Sequence, residues 1–566
     1  MKSKIWISWL LCCLGVTGLW AQAPKWIGKA KQAVFSVVTY DNQGKMLNTG
    51  NGFFISEDGV AVSDYSLFKG AHRAVVLTSA GKEWPVEAIM GADDMYDIVK
   101  FRVGTGGKEV SSLPVVSSAP AVGAPVYLLP YSTQKDRSFT EGKVKAVDVA
   151  GENNHYYTLD LRLKDKMVSC PAMTAEGQVF GLAQKSSGSD TTTLSYAVDA
   201  RLAASLQISA LSYGDLALRH IGIKKALPDT EEQALVFLYM AAAQVDSVVY
   251  AQILEDFIHQ YPHSADGYLR RATLALSKGE KAIQDVKSDL DHALAVAKKK
   301  DDVYYQRAKL IYNYLLLPEA KPVEGWTLDE ALKEVEQAIA IQPLPVYLQL
   351  EGDIRFADKD YAGALQSYEK VNQTNLKSAA TWFSLVRTRE MLQAPKEEVL
   401  ALMDSCVAQY TKPYVEAAAP YLLERAQRRL SAGKARLAVV DYDDYLNARS
   451  GQVNDLFYYY RSQAAVQAKQ YQRALDDLAK AIEMNPKELL YRAELAALNI
   501  RVGRNEEAIR VLKETLTVDA SYAEAYRLMG LAYVQLKQKK DACICFAKAK
   551  ELGDPNVEEL IKKHCN

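Results

Sequence analysis

Two hydrophobic periods follow one another along the chain. Between residues 30 and 200, short runs of alternating apolar and polar residues recur, and Gly, Asp, Asn or Pro separates them. A period of two is typical of half-buried strands, and short strands at this spacing predict an all-β barrel or sandwich. Ten strands are predicted here: AVFSVVTY, NGFFI, GVAVSD, RAVVLTS, WPVEAIM, DIVKFRV, APVYLLP, GKVKAVDV, YYTLDLRL and QVFGLAQ.

From about residue 230 the pattern becomes that of amphipathic helices, and it repeats about every 34 residues. Small residues recur at the eighth and twentieth places of each unit, where two antiparallel helices must approach closely. Large residues recur at the fourth, eleventh and twenty-fourth places. The pattern predicts stacked helix pairs in about eight or nine units, clearest at 455–488, 489–522 and 523–556, and weaker at 231–263, 264–298, 301–344, 345–378, 379–412 and 419–452.

The first 23 residues predict a secretory signal peptide. MKSK supplies positive charge, IWISWLLCCLGVTGLW supplies an apolar run, and AQA at residues 21–23 resembles a cleavage site. Two hydroxyl residues interrupt the run, which is short for a membrane span. We therefore expect a secreted chain, periplasmic or extracellular, that has no transmembrane segment and whose mature N-terminus lies near Gln22 or Pro24.

Charge and cysteine content narrow the classes of function. The net charge is −1, which does not favour a nucleic-acid partner. Five cysteines follow the signal segment, and they are few and scattered: Cys170, Cys406, Cys543, Cys545 and Cys565. No disulfide framework is expected, and the cysteines are interpreted as small buried hydrophobic residues. Neither a metal site nor a cofactor is predicted.

The first half of the chain resembles a known enzyme family. TGNGFFISEDG at 49–59, with Asp93 and Asp97 further on, is similar to the first barrel of an HtrA-type trypsin-like serine protease. VSCPAMTAEGQVFG at 168–181 is similar to the active-site loop and the following strand of that family. The resemblance covers roughly residues 33–200 and implies a double β-barrel.

A protease of this family needs a serine nucleophile, a histidine base and an aspartate that orients the histidine. The resemblance implies that Ser66 stands at the histidine position, Asp97 at the aspartate position and Val168 at the serine position. A serine cannot act as a base at neutral pH, and a valine cannot attack a carbonyl. We therefore predict a degenerate triad and no peptidase activity.

Two alternative nucleophiles lie beside the degenerate position. Ser169 and Cys170 could attack a substrate, but no motif supplies either of them with a base. His155 could reach Cys170 in space, although no motif pairs them. The family's oxyanion-turn glycine is replaced by Lys166, which also disfavours catalysis.

The helical units resemble the tetratricopeptide repeat (TPR), which implies a protein- or peptide-binding groove. Seven residues on the predicted inner face combine apolar side chains with arginine, a mixture that is typical of binding hot spots. These candidate binding residues are Tyr459, Gln463, Leu490, Arg501, Arg527, Leu531 and Val534.

The sequence thus predicts a multidomain protein in which an all-β trypsin-like double barrel precedes an all-α TPR solenoid. The predicted segments are a signal peptide at 1–23, the barrel domain at 24–205, a linker at 206–230 that few contacts cross, and the array at 231–566. The favoured function is a non-catalytic envelope scaffold or adaptor with a protein or peptide partner in the TPR groove. An active periplasmic serine or cysteine peptidase and a peptide-binding chaperone remain as alternatives, and the oligomeric state is not predicted.

Overall fold

The structure is a computed structural model that describes residues 24–133, 139–150, 154–184, 194–277 and 283–565. The predicted signal peptide at 1–23 lies outside the described residues. The chain divides into two compact units, Met1–Ala297 and Lys298–Asn566.

The strands of the first unit form two closed antiparallel barrels. In the first barrel the strand order is β1-β2-β3-β6-β5-β4, and in the second it is β10-β11-β12-β9-β8-β7. The strands are β1 (Val34–Tyr40), β2 (Met46–Phe54), β3 (Val60–Ser63), β4 (Arg73–Thr78), β5 (Glu83–Asp93), β6 (Ile98–Val103), β7 (Pro125–Leu128), β8 (Thr140–Ala150), β9 (Asn154–Leu159), β10 (Pro171–Met173), β11 (Val179–Gln184) and β12 (Ser195–Asp199).

The predicted double barrel is confirmed, and each of the ten predicted strands overlaps an observed one. Two strands were missed, β10 and β12. They are three and five residues long. Segments this short show too few alternations to be recognised by period, and they become strands because their neighbours in the barrel supply hydrogen-bond partners.

An apolar core lies between the two barrels. Phe53 and Ile98 from the first barrel share one buried cluster with Met173 and Leu182 from the second. The short helix α1 (Ile27–Ala30) adds the fully buried Ile27 to the same cluster. This shared core fixes the position of the loops that face each other across the seam between the barrels.

Residues 206–230 pack against the first barrel. Register shifts in β5 leave the backbone groups of Ile89 available for other partners. The Ile89 N–H donates to Lys224 O, and the Ala226 N–H donates to Ile89 O, both at 2.8 Å. Ile221 from the same segment and Phe237 from the helix that follows it share one buried cluster with the barrel interior. The expectation that few contacts cross 206–230 is therefore wrong, while the domain boundaries themselves stay predictions.

The other regular elements among the described residues are mainly α-helices. The remaining short ones are α2 (Tyr65–Phe68), α3 (Ala200–Ser205) and α4 (Leu216–Arg219). The helical array comprises α5 (Glu231–Ala242), α6 (Ser247–Gln260), α7 (Ala265–Leu276), α8 (Ile283–Val296), α9 (Lys300–Leu315), α10 (Leu328–Ile341), α11 (Pro345–Ala357), α12 (Tyr361–Asn372), α13 (Ala379–Met391), α14 (Lys396–Val407), α15 (Ala419–Ser431), α16 (Ala435–Ala448), α17 (Asp455–Gln467), α18 (Tyr471–Met484), α19 (Leu489–Arg501), α20 (Asn505–Val518), α21 (Ala523–Gln535), α22 (Lys539–Glu551) and α23 (Glu558–His564). Within the described ranges, none of these helices has the length and apolarity needed to cross a membrane.

The predicted helix pairs are confirmed, and their spacing follows from the small residues. At the eighth place of its unit, Gly530 lies against the ring of Phe546, where a Cβ would collide with the ring. Gly352 meets Tyr368 in the same way. The missing side chain lets the second helix of each pair bring a large ring close to the first.

Buried and half-buried arginines connect neighbouring helix pairs. Arg461, the seventh residue of α17, bonds Asp477 on its own partner helix at 2.6 Å and Asp443 of the preceding pair at 3.0 Å. Two other helices repeat this arrangement, in which Arg271 bonds Asp289 and Glu255, and Arg425 bonds Asp441 and Asp404. Each guanidinium bridges two carboxylates, so the charges taken out of water are compensated.

A disulfide joins Cys543 on α22 to Cys565, which directly follows α23. The interpretation of these two cysteines as buried hydrophobic residues is therefore wrong, whereas Cys170, Cys406 and Cys545 are buried free thiols. The pairing depends on α23 folding back onto α22, a tertiary contact that the residue spacing did not indicate.

We expect Arg461→Met to lower the free energy of unfolding of the array by about 3 kcal/mol or more, because Asp477 would remain buried without its partner. Adding Asp477→Leu should recover most of the loss, since the pair is then replaced by apolar side chains. Urea unfolding followed by circular dichroism measures both. Arg436→Met, at an exposed arginine on α16, is the matched control. If Arg461→Met proves as stable as the parent, the bridge does not stabilise the array.

Candidate functional site

The histidine and aspartate positions lie together at one end of the first barrel. Ser66 in α2 donates its backbone N–H to Asp97 Oδ1 at 2.6 Å and its hydroxyl to Asp97 Oδ2 at 3.0 Å. Asp97 precedes β6 with a left-handed φ of 53°. The carboxylate thus holds the start of α2 and orients the Ser66 hydroxyl, which the sequence analysis predicts to stand at the histidine position.

The loop that would carry the nucleophile is a tight 3-10 turn over Asp165–Met167. Met167 donates its N–H to Lys164 O at 2.8 Å, and Val168 donates its own to Asp165 O at 3.3 Å. An oxyanion hole needs backbone N–H groups that point at the substrate. Because the Val168 amide is used inside the turn, it is not available to stabilise an oxyanion.

Asn51 on β2 fastens this loop to the first barrel. Its side-chain Nδ2 donates to Val168 O at 2.6 Å and to Lys166 O at 3.0 Å, while its Oδ1 accepts from Tyr131 N at 3.0 Å. Asn51 is buried, so these are protected hydrogen bonds across the seam. The sequence analysis did not identify Asn51. The feature of the sequence that could have marked it is its position between Gly50 and Gly52.

The two alternative nucleophiles are buried under the loop. Ser169 is 1% exposed and has a left-handed φ of 63°. Its Oγ makes no hydrogen bond within the described part of the chain. Cys170 is fully buried, and burial raises the pKa of its thiol well above the ordinary value. A protonated thiol without solvent access is a poor nucleophile.

Asp64, at the end of β3, is a second acid that sequence reasoning missed. Burial raises its pKa to about 8, and the charge of Asp97 makes a smaller contribution in the same direction. Its Oδ1 is buried and has no hydrogen-bond partner among the described residues. The carboxyl is therefore largely protonated at neutral pH.

His155 belongs to a different cluster. Its backbone N–H donates to Asp199 Oδ2 at 3.0 Å, and its Nδ1 lies 2.8 Å from Arg201 Nη2. Since Arg201 can only donate, Nδ1 acts as the acceptor. In the described residues no hydrogen bond joins His155 to Cys170, so the structure does not assemble a cysteine–histidine pair.

Four of the candidate binding residues lie at or near the surface of α17 and α19. The Tyr459 ring lies 5.3 Å from the Tyr491 ring, and burial raises its pKa. Leu490 is 40% exposed, and Gln463 is half-buried. The Arg501 guanidinium lies 5.4 Å from the centre of the Tyr471 ring.

The other three candidate binding residues make contacts within the end of the array. Arg527 bonds Glu524 at 2.6 Å and Asp554 at 2.9 Å, so its charge is already compensated. Leu531 and Val534 pack into an apolar cluster that includes residues of α23. These contacts hold α21, α22 and α23 together.

Comparison with known proteins agrees with this geometry. Residues 50–182 match the family model of the trypsin-like peptidase domain, and residues 465–532 match that of the tetratricopeptide repeat. A trypsin-like peptidase domain is followed by a TPR region. This combination of domains indicates a protein-interaction module.

A curated relative is similar to part of the chain. The "Small glutamine-rich tetratricopeptide repeat-containing protein 2" of Mycosarcoma maydis is 30% identical over 99 residues. The match covers 18% of this chain and 28% of that protein. The chain thus spans less than a third of that relative's length, and the likeness bears on one stretch only.

Asp64 should make the stability of the barrels depend on pH. Its pKa is about 8 in the folded protein and about 4 for an ordinary aspartate. Between these values only the folded state holds the proton, so the free energy of unfolding falls as pH rises from about 4 to 8. Asp64→Asn cannot ionise, so we expect it to remove this slope and to be more stable than the parent at pH 8, by about 2–5 kcal/mol.

Pulse proteolysis in urea at pH 5, 6.5 and 8 measures this effect, with peptides from β3 and β10 read by mass spectrometry. Asp148→Asn, on the outer part of β8, is the control because Asp148 is exposed. If Asp64→Asn keeps the parent's slope, the carboxyl is not buried in its protonated form.

Proposed function

We propose that this protein is a non-catalytic scaffold or adaptor, in which a trypsin-like domain without peptidase chemistry is joined to a TPR array that binds a protein partner. The observation that carries the proposal is the Ser66–Asp97 pair. Asp97 supplies the carboxylate that would orient a histidine, but the side chain bonded to it is the Ser66 hydroxyl, which cannot accept a proton at neutral pH.

Two further features support the loss of catalysis. Val168 stands where the nucleophile would be, and its amide is bonded inside the turn at Asp165–Met167. Base, nucleophile and oxyanion donor are thus all replaced. Restoring one of them leaves the other two absent, and these groups act as a unit in catalysis.

The alternative functions have less support. A peptidase that used Ser169 or Cys170 would need a substrate to enter a region that is closed to solvent. A chaperone that binds extended chains by strand addition would need a free strand edge. The described strands close into two barrels instead.

We also propose that the protein works outside the cytosol, in the periplasm or beyond. The Cys543–Cys565 disulfide supports this location, because disulfides persist mainly in oxidising compartments. The predicted signal segment supports it independently.

Protein isolated from its native cells without reductant should begin near Gln22 or Pro24 and carry the Cys543–Cys565 bond. Intact-mass analysis before and after reduction, with peptide mapping, measures both. A retained N-terminus, a lipid adduct, or free thiols at both cysteines in freshly isolated protein would count against an exported, soluble form.

The purified protein should not cleave unfolded casein, and a fluorophosphonate probe should not label it. The double variant Ser66→His with Val168→Ser should also stay inactive, because the Val168 amide remains bonded in its turn. Release of casein peptides at several concentrations of the protein is the measurement. Turnover that survives chelators and disappears in Ser169→Ala or Cys170→Ala would show instead that the domain is an enzyme.

A further inference from the structure

The last helix of the array is short and is held only weakly by its own side chains. Helix α23 has seven residues, whereas α17, α19 and α21 have thirteen each, and none of the α23 residues is buried. The ion pair between Glu558 and Lys550, at 2.8 Å, is exposed on both sides and contributes little. A helix this short is not stable in water without tertiary support. The helix therefore depends on its attachment to α22.

The residues before α23 are anchored independently of it. Asp554 accepts a hydrogen bond from Arg527 on α21 at 2.9 Å, and Val557 is fully buried. These contacts hold the chain up to Val557 without any contribution from α23. A movement of α23 can therefore pivot after this residue and leave the preceding helix pairs intact.

The Cys543–Cys565 disulfide holds the far end of α23. It joins α22 to the residue that follows α23, across 22 positions of sequence. Such a bond restricts the conformations open to the chain between the two cysteines, and this restriction is lost when the bond is reduced. With the bond in place, Leu560 and Ile561 of α23 pack against an apolar cluster that includes residues of α22.

The disulfide is accessible to a reductant, unlike the buried free thiols. Cys543 and Cys565 are both half-buried, and Cys543 lines a shallow, mainly apolar groove together with Lys540 and Ile544. Cys545 is buried, and burial raises the pKa of its thiol to about 11. Since the thiolate is the form that attacks a disulfide, Cys545 does not compete in exchange at neutral pH.

Helix α23 covers an apolar face of α22. This α22 face is formed by Ala542, Phe546 and Ala549, all fully buried. The Phe546 ring packs on Gly530 of α21 on one side, and the His564 ring of α23 lies 6.3 Å from its centre. Release of α23 therefore uncovers part of the α22 face while the contact between α21 and α22 remains.

We propose that the Cys543–Cys565 bond is a redox-controlled latch: an external dithiol reduces it in the folded protein, and α23 then leaves α22 and uncovers the α22 face. One thiolate of the dithiol attacks a sulfur of the bond, the S–S bond breaks, and a mixed disulfide forms. The second thiol of the reductant closes a ring and releases the other protein sulfur. The dithiol thus gives up two electrons and two protons and becomes a cyclic disulfide, while Cys543 and Cys565 become thiols. This inference goes beyond the proposed scaffold role and does not depend on it.

The first measurement is reduction of the full-length protein by dithiothreitol at neutral pH. Quenching with iodoacetamide, followed by peptide mapping, gives the fraction of Cys543 and Cys565 that is reduced with time. We expect reduction without denaturant, at a rate that stays level in urea concentrations below the unfolding transition, because the reductant reacts with the folded protein. Reduction that needs global unfolding would instead accelerate steeply with urea, since unfolding exposes more surface.

The second measurement is hydrogen exchange, read by mass spectrometry, in the oxidised and the reduced protein. The amides of α23 should exchange about tenfold faster or more after reduction, because the helix opens locally. Peptides from α17 and α18 should exchange at the same rate in both states. Cys565→Ser should show the fast exchange of α23 without reductant, and dithiothreitol should then cause no further change.

Lys563→Ser is the matched control, because Lys563 is exposed on α23 and the variant keeps the disulfide. It should retain the slow exchange of the oxidised parent, and circular dichroism should show a folded array in every variant. Equal exchange of α23 in the oxidised and reduced protein, or a reduction rate that rises steeply in low urea, overturns the inference. None of these measurements involves casein or a partner, so the latch and the proposed function can fail separately.

Discussion

The side-chain amide of Asn51 fixes the loop at residues 165–168, which lies at the seam between the two barrels. It bonds the carbonyl groups of Lys166 and Val168 from one side, and it accepts the amide of Tyr131 on the other. Buried carbonyl groups need such donors, because leaving one unsatisfied costs about 1–3 kcal/mol. With its carbonyls directed at Asn51, the loop bonds its own amides internally. The hydrogen bonds that join the barrels therefore also fix the conformation of this loop. In a trypsin-like peptidase, the corresponding loop forms the oxyanion hole.

Charge compensation is the second constraint, and the helical array and the barrels meet it in different ways. In the array, buried guanidiniums bridge carboxylates of successive helices, as Arg461 does between Asp443 and Asp477. In the barrels, Asp64 has no such partner among the described residues, and burial raises its pKa so that the carboxyl is largely protonated at neutral pH.

The regular parts of the fold could be predicted because local pattern and tertiary packing agree. The 34-residue period placed even the weakest unit, which is the pair α13 and α14. The alignment of Ser66 with Asp97 brought together two residues 31 positions apart, and the structure joins them by two hydrogen bonds. Irregular parts were missed. The bulged β5 binds the segment after residue 206 through Ile89, and no period marks a bulge in advance.

The sequence by itself determined the strand and helix periods and the repeat length, and it led to the prediction that the residues a peptidase needs are replaced, since these depend on residue types at fixed spacings. Only the tertiary structure decided which polar groups became partners across long distances: Asn51 with the loop after residue 164, Cys543 with Cys565, and Arg527 with Asp554. It also decided which charged side chains are paired inside the molecule. A residue type states what a side chain can bond, but burial and the direction of its neighbours determine whether that bond is made inside the molecule or remains for a partner.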